Sequence, residues 1–393
     1  MFPERFSNLP AYPFARLRKL LEPIESKHST LTMTIGEPTH AFPPWIVDII
    51  TQNASGFNRY PPNDGTQELR VAISVWLARR YQVDLDADKN VIVLNGTREG
   101  LYNASMALCP ETKKGAQPVI LTPNPFYQVY MFAALSVGAR LEFVPATRET
   151  GYLPDYMALP SETLNRTALA YICSPANPQG AVADEGYWKS LLALAEKYDF
   201  KILADECYSE IYRNNPPVGA LEIASDLGAD PERVVIFHSL SKRSNLPGLR
   251  SGFAAGGEGA ITQLKTMRAY SGAPLPLPLQ RAAEAVWADE AHVEENRALY
   301  REKFNLVDDI LGNIADFSTP EAGFFLWLPY HDGEKAAVKL WKEEGIRVLP
   351  GRYLSQDVNG QNPGHNYIRL ALVADKSQTE KGLLKIRRCL YNK

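Results

Sequence analysis

From about residue 66 to residue 270, short apolar runs alternate with segments whose apolar residues recur at helical spacing. The runs are VIVLN (91–95), VIL (119–121), RLEFV (140–144), ALAYIC (168–173), KILAD (201–205), VVIFHS (234–239) and SGFAAG (251–256). Runs this short and this apolar suit strands buried on both faces, and the helical segments between them are the crossovers that parallel neighbours need. In segment 184–198, Asp184 can cap a helix whose buried face carries Trp188, Leu191, Leu192, Ala195 and Tyr198. In segment 66–80, Leu69, Ile73, Trp76 and Leu77 share a face, and Arg79 and Arg80 fall at the end where the helix dipole favours cations. The alternation predicts an α/β fold with a mostly parallel central sheet and helices on both faces.

A proline-rich break, GAPLPLPLQ (272–280), interrupts this pattern. Beyond it come long charged helical segments and two more strands, FFLWL (324–328) and NYIRLALV (366–373). We therefore expect an N-terminal arm (1–14), a large domain (45–280), and a smaller α+β domain built from 15–44 and 281–393.

The chain of 393 residues has room for two domains, and 45% hydrophobic with 22% charged residues is an ordinary globular composition. Its 42 Lys plus Arg against 45 Asp plus Glu leave a net charge of -3, which excludes a general nucleic-acid surface. The longest uncharged stretch, 115–139, is broken by Pro118, Pro123 and Pro125, so no membrane span is expected. The N-terminus carries no apolar secretory core, and the four cysteines are dispersed without a C-x-x-C pair. A cytoplasmic chain without disulfides or a metal site is the expectation.

In open α/β sheets, ligands bind beyond the carboxyl ends of the strands, so polar residues just after the apolar runs carry the candidate chemistry. In SLSKRSNLPGLR (239–250), Lys242 can be an imine-forming amine, while Ser239, Ser241 and Arg250 suit a phosphate dianion. A solvated basic loop is the alternative. Asp205 ends KILAD, where a buried carboxylate needs a cationic partner, such as a protonated aromatic nitrogen, or else caps a helix. NGTREG (95–100) opens a helix whose first N–H groups and Thr97 hydroxyl make an anion site, and it lacks the G-x-G-x-x-G spacing of a dinucleotide loop. In SPANPQG (174–180), Asn177 is held between two prolines, aimed at a ligand or simply in a turn. Arg369 shares a strand face with Tyr367 and Ala371, either as a fixed guanidinium for a carboxylate or on a solvent-facing edge.

The order of these motifs, from TIGEP (34–38) and YPPNDG (60–65) through NGTREG, NPFYQVY (124–130), SPANPQG, ADECYSEIY (204–212) and SLSKRSNLPGLRSGF to AGFFLWL (322–328), VLPG (348–351) and YIRLALV, resembles the class I and II aminotransferases of PLP fold type I. The resemblance spans nearly the whole chain. It implies pyridoxal 5′-phosphate as cofactor, bound covalently by Lys242, with Asp205 on the pyridine nitrogen, Asn177 and Tyr208 at the ring hydroxyl, and Tyr127 stacked on the ring. The phosphate would be held by Gly96, Thr97, Arg98, Ser239, Ser241 and Arg250, and by Tyr60 reaching across from the other subunit of a homodimer with shared sites. Arg369 would grip the substrate α-carboxylate beside the Ile35 and Gly36 backbone. A narrower resemblance, carried by AYPFARL (11–17) with DECYSEIY and FHSLSKRSNLPGLRSG, is to succinyldiaminopimelate aminotransferases. It implies amino transfer between N-succinyl-LL-2,6-diaminopimelate and 2-oxoglutarate in lysine biosynthesis. An aspartate, aromatic or alanine aminotransferase would share the cofactor residues, as would a carbon–sulfur lyase. Gln179 and the loop SGAPLPLPLQ (271–280) depart from the family pattern, the loop being expected at the substrate entrance. Arg98 and Arg243 are candidates for a distal carboxylate.

Overall fold

The apolar runs pair into one seven-stranded sheet in the computed structural model, which describes residues 4–7 and 9–392. In chain order the strands are β1 (Val91–Leu94), β2 (Val119–Asn124), β3 (Arg140–Pro145), β4 (Thr167–Cys173), β5 (Lys201–Asp205), β6 (Val234–Ser239) and β7 (Gly252–Gly256). Their spatial order is β1-β7-β6-β5-β4-β2-β3. Strands β2 to β6 are mutually parallel, whereas β7 runs antiparallel to both β6 and β1. The reversal follows from the connection: Leu240 N–H donates to the Ser251 carbonyl at 3.1 Å, closing residues 240–251 into a loop that stays at one end of the sheet instead of crossing back.

Alternate residues of each strand feed two cores. Val91, Val93, Ile202, Ala204, Val234 and Ile236 pack with Trp76, Leu77, Trp188 and Leu191 on one face, while Ile92, Leu94, Leu203, Val235 and Phe237 pack with Leu101, Tyr130 and Leu264 on the other. The helices start where their sequences say. Asp184 accepts from Tyr187 N–H at 2.8 Å to open Glu185–Tyr198, and the Thr66 hydroxyl accepts from Leu69 N–H to open Gln67–Tyr81.

A separate core gathers Met33, Tyr300, Phe304, Leu326, Leu340, Ile368 and Leu370 around a three-stranded antiparallel sheet in which Tyr367–Ala371 is the central strand, flanked by Leu349–Pro350 and Phe325–Pro329. The N-terminal segment joins this side. Leu31–Thr32 pairs with Ile346–Arg347, and Leu17 and Leu21 pack on Trp327 and Trp341. Residues 1–3 and 8 of the expected arm lie outside the described residues.

The division between cores falls after residue 288 and not at 280. Helix Leu277–Ala288 inserts Ala282, Ala283, Val286 and Trp287 into the first core. Its prolines explain the misreading: Pro278 lies in the first turn, where a missing N–H is harmless, so the proline run starts a helix of the large core instead of ending the domain. Among the described residues, no helix is long and apolar enough to cross a membrane.

Trp287 is 1% exposed, with ring centroids 4.8 Å from Trp76 and 5.1 Å from Phe253. Trp287→Ala is expected to cost about 3–5 kcal/mol of folding free energy, because the vacated volume cannot collapse fully. Denaturant unfolding checks this; an unchanged midpoint would place the helix outside the large core.

Candidate active site

The carboxyl ends of β4, β5 and β6 and the loops after them close one side of a cavity of about 370 Å³. The large-domain lining includes Asn177, Asp205, Tyr208, Ser239, Ser241, Lys242 and Arg250, with Thr97, Arg98 and Tyr127 beside them. From the second core come Ile35, Gly36 and Arg369. Residues scattered over more than 300 positions of sequence thus meet in one place. Two expected residues do not line it. Gly96 sits just behind, and Tyr60 is fully exposed, where its own chain does not bring it to the cavity.

Lys242 rides on the four-residue helix Leu240–Arg243, opened by Ser239, whose hydroxyl accepts from Ser241 N–H at 3.1 Å. Its ammonium donates to the Gly36 carbonyl. A side chain at Gly36 would meet Phe325 Cζ at 2.5 Å, so glycine is what lets this carbonyl approach. Burial lowers the Lys242 pKa from 10.5 to about 8, because a charged amine is poorly solvated there. The amine is therefore free base above about pH 8.

Asp205 is 3% exposed and has no cationic partner within salt-bridge distance among the described residues. Burial raises its carboxyl above the ordinary range, opposed by a 2.7 Å hydrogen bond from the Tyr130 hydroxyl. Tyr130 in turn stacks on Tyr171 at 4.5 Å. Arg369, 4% exposed on a central strand, is no edge residue. Its guanidinium donates to Asn177 Oδ1 at 2.9 Å and to the Thr34 carbonyl at 2.7 Å, while Nε is buried without a partner. Burial depresses its pKa to about 10. Tyr208 is held edge-on to Phe324 at 5.3 Å.

At the other end of the cavity, Gly96 (φ +84°) caps helix Thr97–Leu108, and a Cβ there would lie 2.3 Å from Arg250 Nη2. Arg250, itself left-handed at φ 57°, donates to the carbonyls of Pro247 (2.9 Å) and Asn95 (3.1 Å). Arg98 Nε donates to the Tyr127 hydroxyl at 2.7 Å. A helix N-terminus, two serine hydroxyls and a guanidinium suit a phosphate dianion. The unpaired Asp205 suits a cationic ring nitrogen, and the buried Lys242 amine suits an aldehyde. The donor set fits pyridoxal phosphate.

Tyr12, Arg98, Phe126, Tyr127, Gln128 and Arg250 also line a second, adjoining cavity of about 820 Å³ that extends to Leu9, Arg16 and Tyr353. Its carboxylate, Glu99, is engaged by Arg268 and by Asn95 N–H. Arg16 lies over the Tyr353 ring at 3.9 Å and has no carboxylate partner among the described residues. Arg243 is not a distal-group residue: it is 2% exposed, packed by Trp287 and paired with Glu290 at 2.7 Å. The loop 271–280 lines neither cavity, and Gln179 is buried against the Ala146 carbonyl.

The profile of the family "Aminotransferase class I and II" matches residues 29–384, and the chain belongs to that family. It is thus a pyridoxal-phosphate-dependent aminotransferase, acting on amino and keto acids. An LL-diaminopimelate aminotransferase of Dehalococcoides mccartyi is 30% identical over 98% of this chain and 97% of that protein. An aminotransferase from Neisseria meningitidis Z2491 superposes with a TM-score of 0.94 at 39% identity, covering 98% of this chain and 99% of that one. The aminotransferase AspB of Helicobacter pylori 26695 follows at 0.91 and 36%, covering 98% and 100%.

Sequence reasoning missed Tyr130 and Tyr12. Tyr130 lies in the first turn of the helix that Tyr127 precedes, but its partner Asp205 is 75 positions along the chain, so the motif alone did not point to it. Apo-protein is expected to capture pyridoxal phosphate at a rate that climbs through about pH 8, followed by visible absorption; a rise centred near 10.5 would mean an unperturbed lysine. Gly96→Ala is expected to weaken cofactor affinity at least about tenfold through strain at positive φ and displacement of Arg250, read by equilibrium dialysis.

Proposed function

We propose that this chain transfers the amino group between N-succinyl-LL-2,6-diaminopimelate and 2-oxoglutarate, forming glutamate, and that it does so as a homodimer with shared sites. The observation that carries the reading is the second cavity, which adjoins the first across shared wall residues and bears a guanidinium without a carboxylate partner at Arg16. A donor with a long side chain ending in a carboxylate suits that cavity. The relatives named LL-diaminopimelate aminotransferases support the diaminopimelate skeleton and favour a second reading, the free diamine. A distal ammonium needs an available carboxylate: in the second cavity Glu99 is already paired with Arg268, and the exposed Glu37 lines only the first cavity.

Bound pyridoxal phosphate supplies the aldehyde that takes up the amino group and the ring that accepts the electron pair released at the substrate α-carbon. The protein does the rest. Arg369, oriented by Asn177 and Thr34, holds the α-carboxylate and fixes which α-carbon bond faces Lys242. The Lys242 amine then takes the α-proton as a base and returns it as an acid, a role its lowered pKa suits near neutral pH. Asp205, supported by Tyr130, would hold a proton at the ring nitrogen. Tyr208 and Asn177, which line the same cavity, would donate at the ring hydroxyl.

Stopped-flow spectra with glutamate, aspartate, LL-diaminopimelate and its N-succinyl derivative test this. Conversion of the cofactor by glutamate and the succinylated diamine is expected; conversion by the free diamine alone would establish the second reading. Arg16→Met should raise KM for the succinylated donor by about 10-fold or more, the worth of one charge-assisted contact, with KM for 2-oxoglutarate moving far less.

A further inference from the structure

Lys242 is carried by a helix too short to hold itself, and its last carbonyls have no helical partner. The amide of Asn296, 4% exposed on helix Ala291–Leu311, faces them: Nδ2 donates to the carbonyls of Lys242 (3.5 Å) and Arg243 (3.4 Å). Its Oδ1 accepts from Asn245 Nδ2 at 3.0 Å and meets His40 Nδ1 at 2.9 Å. All four hydrogen-bonding positions of one side-chain amide are used. Asn245 is the left-handed residue (φ 53°) that turns the chain just after the helix, and its amide also donates to the Ala41 carbonyl at 3.1 Å.

The chemistry at the ends fixes the polarity of this network. Two carbonyls require the Asn296 nitrogen on their side, so its oxygen faces His40, and His40 Nδ1 must carry the proton. Nε2 is then a lone pair, and it accepts from Lys303 Nζ at 2.6 Å. Lys303 is 1% exposed, donates also to the Leu372 carbonyl at 2.9 Å, and has no carboxylate partner within salt-bridge distance among the described residues. A buried ammonium without an anion is costly, and the hydrogen bonds to His40 and Leu372 offset only part of that cost. The other charged groups nearby are Asp375 and the Glu302–Lys376 pair at 3.1 Å.

We propose that Asn296 is a positioning residue for Lys242, holding its main chain so that Nζ points into the cavity, and that His40 and Lys303 hold Asn296 in turn. The inference rests on Lys242 being the cofactor lysine. The segment 34–41 then grips the lysine twice: Gly36 at the ammonium, and Ala41 and His40 through Asn245 and Asn296 at the backbone. Because Tyr300 and Phe304 anchor the Asn296 helix in the second core, the position of that core is transmitted to the reacting amine.

The experiment compares holoenzymes of wild type, Asn296→Ala, His40→Leu, His40→Gln and Lys303→Met. Two quantities are read: the pH midpoint of the bound cofactor's visible absorption change, and kcat and KM with glutamate. Asn296→Ala should shift the midpoint by about half a unit. It should also lower kcat by about 10- to 100-fold, with KM within about twofold, as expected when a reacting group is misplaced but binding is not. His40→Leu and Lys303→Met should move both quantities the same way by less, and His40→Gln, which keeps one donor and one acceptor, should restore them. Wild-type midpoint and kcat in Asn296→Ala, with only a fall in thermal stability, would overturn the proposal. So would His40→Gln failing as badly as His40→Leu. A wild-type protein with no visible band would remove the Lys242 assignment and the inference with it, a result distinct from a normal band that the variants leave unmoved.

Discussion

Three ionisable groups, the buried Asp205 and Arg369 and the half-buried Lys242, face one cavity, and none has an oppositely charged side chain within salt-bridge reach among the described residues. Burial works against the charged form of each: it raises the Asp205 carboxyl and lowers the Lys242 and Arg369 pKa values to about 8 and about 10. A folded chain tolerates this only if the rest of the structure over-determines their positions and a ligand completes their pairing. The neutral hydrogen bonds seen here, from Tyr130 to Asp205, from Lys242 to Gly36 and from Arg369 to Asn177 and Thr34, hold the groups in place without discharging them. What remains uncompensated is the complement of a cationic ring, an aldehyde and a carboxylate.

That constraint accounts for the two-core architecture. A single sheet can present residues at its strand ends, and β4, β5 and β6 do so with the loops bearing Asn177, Asp205 and Lys242. It cannot by itself cover them. Arg369 and the 34–36 backbone come from the second core and close the opposite wall, so desolvation of the lysine depends on a contact between cores.

Most of the strand set was legible because the strands other than the half-buried edge strand β3 are buried on both faces and read as continuous apolar runs. The direction of β7 was not, since it depends on the Leu240–Ser251 closure, a contact rather than a pattern. The proline run 272–280 reads as a boundary because local sequence does not say whether a proline ends one helix or begins the next. Site residues that follow a strand directly, such as Asp205 and Lys242, could be named because their meaning is local. Tyr130, Arg16 and Asn296 could not, because what makes each matter lies far along the chain: Asp205, Tyr353 and the Lys242 carbonyl. Arg243 shows the converse, a cation adjacent in sequence to the chemistry yet turned into the Trp76 and Trp287 cluster.

The two cavities draw on different parts of the fold. The groups suited to the cofactor sit on strand ends and short turns braced by the large sheet, where a displacement of an ångström is costly. The adjoining cavity is walled by the start of helix Pro13–Leu21, by Phe126 to Gln128 and by Tyr353 to Gln356. These are tied together at their backbones: Phe126 N–H donates to the Leu354 carbonyl at 2.9 Å, and the Asn124 amide brackets Gln356 at 2.9 and 3.0 Å. Side chains can therefore change on this wall while the frame that aims Lys242 stays fixed. A cation such as Arg16, resting on an aromatic ring at the far end, can thus be exchanged without touching Lys242, Asp205 or Arg369 around the first cavity.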